Sequence, residues 1–415
     1  MIETKVCVVG AGPAGAAAAL QLNRQGIECV IVDKAIFPRD KVCGDGLSGK
    51  VPTCLSRIDP EVAARLKQKS FKLNSWGVSF IAPNRKALDV GFHPEYDNNP
   101  ELEKKDPVGY VCKRVDFDNF LVEEVKKCRH VQLFEGKNIT QYKQQSDGYL
   151  MSDEKGFLVK AQMLIIANGA HSAFSKKIAG IEMEPNHFYA GVRAYYNNVT
   201  GMHPDNFIEL HFLKSLLPGY FWIFPLPNGA ANVGLGIMSS EVSRKKINLK
   251  KELLRIVQTD PVLKERFKNA ELTGTIDGYG LPLGSKKRKL SGERFLLTGD
   301  AASLIDPFTG EGIGNALYSG RNAAFIAEKA VKANNYSASF LSAYDNEIER
   351  ALGRELRLST KLQKLVKYPF LFNLLLNISA RNKKVKELMS CMFYEVDLRA
   401  KLTRPSFYIN LILNR

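Results

Sequence analysis

The hexapeptide GAGPAG at Gly10–Gly15 is the feature that most narrows what this chain can fold into. An apolar segment, Lys5–Val9, leads into it; an alanine-rich stretch, Ala16–Gln25, follows; a second apolar segment, Glu28–Asp33, ends in an acid. That order predicts strand, glycine turn, helix and strand within about 30 residues, the βαβ unit that binds dinucleotides. The glycines have separable roles: Gly10 makes the tight turn, Gly12 admits a pyrophosphate close to the backbone, and Gly15 lets helix and strand touch. N–H groups at the helix start then face the phosphates, and Asp33 is placed to hold ribose hydroxyls.

Beyond this unit the pattern changes. Segments rich in aromatic and β-branched residues recur at Lys72–Ile81, Ala87–Phe92, Phe188–Val199, Phe207–Leu213, Tyr220–Phe224, Ala231–Met238 and Leu272–Gly278. One charged stretch of helical character, Ser240–Lys268, lies among them. Connections with so few helices predict an antiparallel sheet. The nucleotide-binding pattern resumes at Val111–Gly180 and again from Gly280, and a chain of 415 residues has room for two or more cores. The expected fold class is α/β: a Rossmann-type cofactor domain (1–70, 100–186 and 280–335) interleaved with an antiparallel β-sheet substrate domain (71–99 and 187–279), plus a C-terminal helical region (336–415).

Composition narrows the partners. Seven cysteines form no CxxC pair, which argues against both a disulfide framework and a zinc site, so no metal is expected. The net charge of +16 favours anionic partners. From Lys361 to the end, eleven basic residues stand against three acidic ones and alternate with YPFLFNLLLNI and SFYINLIL. Cationic and apolar residues sharing one segment fit an anionic membrane surface; a helical domain with a solvated basic face is the plainer alternative. No RNA-recognition, helix-turn-helix or zinc pattern is present, so nucleic acid is not an expected partner. The N-terminus lacks signal-peptide zones, and no apolar run approaches the roughly 18 residues of a spanning helix. The expected location is cytoplasmic, with a peripheral place on the inner face of the cell membrane.

A second cluster, FLLTGDAASLIDPFTGEGIGNALYSGRNAA, occupies Phe295–Ala324. An apolar strand runs into Gly299 and Asp300, a Pro-Gly loop containing Pro307 follows, and a helix opens at Gly312. Asp300 at a strand end can accept hydrogen bonds from a sugar-like chain, and Gly312, Ile313 and Gly314 offer N–H groups to an anion.

Together GAGPAG with Asp33, KRVDFDNFL at Lys113–Leu121 and GDAASLIDPFTGEGI resemble the three cofactor signatures of the FAD-dependent aromatic-hydroxylase fold. Within that fold, FPRDKVCGDGLS and GYFWIFPLPNGAANVGLG resemble the geranylgeranyl reductase family. The resemblance implies FAD as cofactor, lying along Gly10, Gly12, Ala14, Gly15, Asp33, Lys34, Arg39, Arg114, Asp300, Pro307, Gly312, Ile313 and Gly314. It brings the isoalloxazine ring to Cys43, Gly44 and Gly46. Ile139 is expected to offer backbone contacts to adenine, a reading from its position alone. The implied substrate is a polyprenyl lipid; the electron donor stays open between NADPH, ferredoxin and another carrier. Three features depart from the family: Asn168-Gly169 stands where an Asp-Gly pair is usual, Leu226 where lysine is common, and the tail is not diagnostic.

Saturating an isolated double bond needs a hydride on one carbon and a proton on the other. Cys43 is the candidate proton donor, since a thiol with a reference pKa of about 8.5 is mostly protonated at neutral pH. Lys41 and Arg39 would pull it toward thiolate. In the competing reading Cys43 is a small loop residue that abuts the ring through its backbone. In YFWIF, alternation sends Tyr220, Trp222 and Phe224 to one face, which can line an apolar substrate tunnel, and Phe221 and Ile223 to the other. Two alternatives stay open: a flavin monooxygenase or halogenase, and a non-catalytic flavin-bound protein at the membrane. The oligomeric state is not legible.

Overall fold

The apolar segments flanking GAGPAG form neighbouring strands of a mainly parallel sheet. The computed structural model describes residues 1–92 and 108–382, with Lys386 and Ser390. The segment SFYINLIL, the other basic residues beyond Asn382, Cys391 and the expected boundary at residues 99 and 100 lie outside the described residues. The first sheet has eight strands in the order β17 (Ser291–Gly292), β18 (Phe295–Leu297), β11 (Leu158–Ile166), β1 (Ile2–Val9), β2 (Cys29–Val32) and β8 (Val131–Phe134), with β9 (Gln141–Gln145) and β10 (Gly148–Ser152) branching from β11. Its four central pairings, β18 to β11, β11 to β1, β1 to β2 and β2 to β8, are all parallel.

Register explains how clusters distant in sequence meet. Val9 lies opposite both Val32 and Ile166, and Ile166 lies opposite Leu297. The residues that follow these strand ends, Gly10, Asp33, Ala167 and Thr298, therefore share one rim, the carboxyl edge where open α/β sheets bind ligands. Helix α1 (Pro13–Arg24) leaves that rim with proline at its first turn, a position that needs no N–H partner. The long helix further down the chain, Ile313–Ala333, packs on α1 through small residues: a Cβ on Gly320 would lie 2.0 Å from the Ala14 carbonyl oxygen. Ala14 itself is 5% exposed at this contact.

The second sheet has seven strands in the order β16 (Glu271–Pro282), β12 (Phe188–Asn197), β15 (Ala230–Met238), β14 (Tyr220–Pro225), β13 (Ile208–His211), β5 (Gly77–Ile81) and β6 (Ala87–Gly91). It is antiparallel as expected except where β13 meets β5 in parallel, because those two strands come from separate chain segments. Lys72–Ile81 is not one strand. It divides at Trp76 into β4 (Leu73–Ser75), which joins β3 (Gly46–Leu47) and β7 (Gly109–Val111) in a three-stranded sheet, and β5 in the larger one. The charged stretch expected as one helix is three, at Ser239–Lys245, Leu249–Thr259 and Leu263–Arg266, broken by left-handed Lys246 and by the Asp260-Pro261 pair.

The alternation read in YFWIF is the observed one. Tyr220, Trp222 and Phe224 belong to one buried apolar cluster with Phe80, Phe212 and Phe308; Phe221 and Ile223 belong to another with Leu253, Ile256 and Phe267 beneath the short helices. The described residues from Tyr336 to Asn382 are mostly helical, with Arg354–Val366 and Pro369–Arg381 the last two helices given; most of the rest of the expected region, 336–415, lies outside the described residues. Among the described residues, no helix is long and apolar enough to cross a membrane and no cluster of His, Cys, Asp and Glu could hold a metal.

Candidate active site

The three glycines of the fingerprint differ in what surrounds them. Gly10 has φ +106°, and a Cβ there would lie 2.5 Å from the Ala167 carbonyl oxygen; on Gly15 it would lie 1.7 Å from the Gly10 carbonyl oxygen. Both positions exclude any side chain. At Gly12 a Cβ would meet only the Arg39 guanidinium, at 3.6 Å, so the protein leaves this backbone uncovered. An open cradle flanked by two closed ones fits a pyrophosphate at Gly12. Asp33 accepts from the Ala11 N–H at 2.6 Å through Oδ2 and from the Ala35 N–H at 2.8 Å through Oδ1. The carboxylate thus fixes the turn itself, with lone pairs to spare toward the rim.

A belt of charges runs from this turn across the site. Arg114 is 2% exposed, so it is not a surface arginine. Its guanidinium forks onto Asp118 with Nε–Oδ1 and Nη2–Oδ2 both 2.7 Å, and Arg39 Nη1 reaches Asp118 Oδ2 at 2.5 Å. Burial alone would raise the Asp118 carboxyl, but the two guanidiniums overcome it and hold the pKa below the ordinary value. Lys41 Nζ contacts Asp300 Oδ2 at 2.8 Å and sits 5.2 Å above the Tyr279 ring. The segment after the fingerprint is in this way tied to the strand end that bears Asp300. Lys34 is exposed, and Ile139 is buried in the apolar core at 8% exposure.

At the far end, helix Ile313–Ala333 begins after Gly312, which supplies no side-chain cap. The N–H of Gly314 is already taken by Glu311 Oε1 at 2.7 Å, an acceptor three residues upstream that the sequence reading passed over. Pro307 sits in a turn pinned by Asp306, whose Oδ1 accepts from the N–H groups of Phe308 (2.9 Å) and Thr309 (2.8 Å). Tyr220 donates to the Thr309 carbonyl at 2.8 Å, so the aromatic strand is seated on this turn.

The loop at Cys43–Gly46 is clamped by the second sheet and by the segment that follows β7. Asp45 is fully buried in a left-handed conformation, φ +68°. Its Oδ2 accepts from Tyr195 Oη at 2.8 Å and Asn232 Nδ2 at 2.7 Å, and its Oδ1 from the Arg114 N–H at 3.3 Å. Asn232 also donates to the Cys43 carbonyl at 2.7 Å and accepts from the Trp222 indole N–H at 2.8 Å. Burial drives the Asp45 pKa up to about 6 against the opposing pull of Asn232, Tyr195, Arg193 and Arg114. Phe224 closes over the loop: a Cβ on Gly44 would lie 2.8 Å, and one on Gly46 3.2 Å, from its ring. Burial also raises the Cys43 thiol, outweighing Arg114 and Lys41, so the thiol is protonated at neutral pH.

Asp45, Asn232, Tyr195 and Asp118 were missed as site residues. One signal was available: Arg114 and Asp118 stand four apart in KRVDFDNFL, the spacing that brings side chains together on a helix. Asn232 had no local signal.

The family model described as FAD binding domain matches residues 3–352. A menaquinone reductase of Mycobacterium tuberculosis (strain ATCC 25618 / H37Rv) is 29% identical over 370 residues, 88% of this chain and 84% of the relative. A digeranylgeranylglycerophospholipid reductase of Methanosphaera stadtmanae is 28% identical over 361 residues, 85% of each chain. Among solved structures, a geranylgeranyl bacteriochlorophyll reductase-like protein from Thermoplasma acidophilum superposes with TM-score 0.79 at 23% identity, covering 97% of this chain and 99% of that one. The flavin-dependent brominase Bmp2 shares the fold with TM-score 0.75 at 19% identity, covering 94% of each chain. The chain belongs to the FAD binding domain family and is an FAD-dependent oxidoreductase.

Proposed function

We propose that this protein saturates carbon–carbon double bonds of a polyprenyl lipid. The single observation that carries the reading is the apolar wall of Tyr220, Trp222 and Phe224 ending, through Phe224, on the Cys43–Gly46 loop. Bound FAD, once reduced, supplies the hydride. The chain's own residues do the rest. Gly12 and Arg39 receive the pyrophosphate, Asp33 the ribose, and Asp300 the sugar-like chain. Gly312 and Ile313 at the helix start would favour the negative charge of the reduced cofactor. Asp45 and Asn232 hold the loop that carries Cys43 beneath Phe224, and the Cys43 thiol gives its proton to the second alkene carbon, leaving a thiolate that solvent reprotonates. Electrons come from NADPH or ferredoxin, and the protein works at an anionic membrane surface. The relatives' names, which include prenyl-lipid and menaquinone reductases, support this substrate class.

The brominase fold and Trp222 on a central strand favour one rival, an oxygen-using flavin enzyme. An anaerobic experiment separates the two. Protein reduced with dithionite, freed of excess reductant and mixed with a geranylgeranyl phospholipid should recover oxidised-flavin absorbance without oxygen. Absorbance that returns only when air is admitted would overturn the proposal in favour of the rival.

A further inference from the structure

Helix Pro369–Arg381 presents two faces of opposite use. Phe372 (0% exposed), Leu376 (3%) and Ser379 (1%) are buried against the second sheet. Phe370 (75%), Leu371 (43%), Leu374 (45%) and Ile378 (44%) are exposed, and their spacing puts them on the side opposite the buried three. Twelve large apolar side chains are exposed among the described residues, and five of them fall within Tyr368–Ile378; the others are scattered. Water offers no reason to concentrate them there. Lys361, Lys364 and Lys367, all exposed, lead into this helix.

The buried face continues inward without a break. Phe372 lies tilted against Phe212 with ring centroids 4.6 Å apart, Phe212 is 5.7 Å from Tyr220, Tyr220 is 6.2 Å from Trp222, and Trp222 is 6.3 Å from Phe224. Phe224 rests on Gly44 and Gly46. An aromatic ladder thus joins the underside of this helix to the Cys43 loop.

We infer that Pro369–Arg381 is a docking helix for an anionic lipid bilayer, seating its outer face among the acyl chains beside the head of the aromatic ladder. A second copy of the chain would cover the apolar residues but would have to accept the three lysines as well; an anionic surface accepts both. The inference rests on the lipid-substrate reading and adds where on the molecule the lipid arrives.

The test is co-sedimentation of the FAD-loaded full chain with vesicles of phosphatidylcholine alone or with phosphatidylglycerol added. Wild type should bind the anionic vesicles at least about 10-fold better than the neutral ones, and less well at high salt. The double variant F370E/L374E should keep its flavin and lose vesicle binding. A separate F370W variant should shift its emission to the blue on anionic vesicles and be quenched by brominated acyl chains. Unchanged binding of the double variant, or an unquenched F370W, would overturn the inference. So would a lipid-free dimer that the double variant splits, with no vesicle binding. Vesicle binding without anaerobic flavin reoxidation by the prenyl lipid would sink the substrate reading and leave the docking helix standing. Reoxidation by detergent-dispersed lipid without vesicle binding would do the reverse.

Discussion

The turn at Gly10–Gly15 and the loop at Cys43–Gly46 are both glycine-bearing segments of the same site, and they are held in opposite ways. The turn is fixed mostly by its own βαβ unit: Gly10 N–H donates to the Val32 carbonyl at 2.7 Å and Ala11 N–H to Asp33 at 2.6 Å. The loop is fixed from far away, with Asp45 gripped by Arg114, Tyr195 and Asn232 and its own carbonyl accepting from the Cys112 N–H at 3.0 Å. A binding turn can be carried by one supersecondary unit. A loop whose anchors lie far away in sequence has to be assembled by the tertiary fold, so its geometry depends on Cys112, Arg114, Tyr195 and Asn232 at once.

The sharpest break of this contrast lies within the turn. Gly15→Ala drives a Cβ onto a backbone carbonyl, and the strain, above about 4 kcal/mol, should leave little soluble flavin-bearing protein. Gly12→Ala meets only a guanidinium and should fold normally, while FAD affinity falls at least about 10-fold, or about 1.4 kcal/mol. Thermal melts with and without added FAD check both; equal damage from the two substitutions would contradict the assigned roles.

On the loop side the next largest effect is a pH dependence. Asp45 has its folded pKa raised to about 6 from 3.8, so the native state holds a proton that the unfolded chain has released. Its contribution is fully present below the unfolded value and is lost as pH rises through 6. The size is about 3 kcal/mol, from about 1.36 kcal/mol per unit. Denaturant titrations from pH 4 to pH 7 should show wild type losing stability relative to Asp45→Asn by an amount of this order, and parallel curves would refute the burial argument.

Cys43→Ser should retain the flavin and its fold while prenyl-lipid turnover drops about 10²-fold, the usual weight of one proton-transfer group. Unchanged turnover would favour the reading in which the loop contacts the ring only through its backbone. The smallest expected effect is that of Trp222→Phe, which removes the indole donor to Asn232 at 2.8 Å. Leaving that buried acceptor unpaired costs about 1–3 kcal/mol, read as a lower denaturation midpoint with unchanged slope.

The same contrast explains what could be read in advance. The fingerprint, the strand end at Asp300 and the two faces of YFWIF follow from spacing and alternation, which are local properties of the chain. The division of Lys72–Ile81 between two sheets was hidden because the pairing of β4 with β7 and of β5 with β13 is decided by distant segments. Asn232 escaped for the same reason: in sequence it is one polar residue in AANVGLG, and only the pairing of Trp222 and Phe224 with neighbouring strand β15 gives it three functions. Glu311 capping Gly314 was within local reach and altered which helix-start N–H groups remain for the cofactor.

The central claim is that the apolar ladder delivers a prenyl chain to a hydride source and a thiol proton at one loop. The most direct measurement is the mass of a geranylgeranyl phospholipid recovered after anaerobic incubation with the dithionite-reduced holoprotein. The account predicts a lipid heavier by two hydrogen atoms for each bond saturated; because dithionite supplies only electrons and both the flavin N–H and the thiol exchange with solvent, both atoms are deuterium in heavy water. A lipid of unchanged mass under those conditions, with the flavin still reduced, would contradict it.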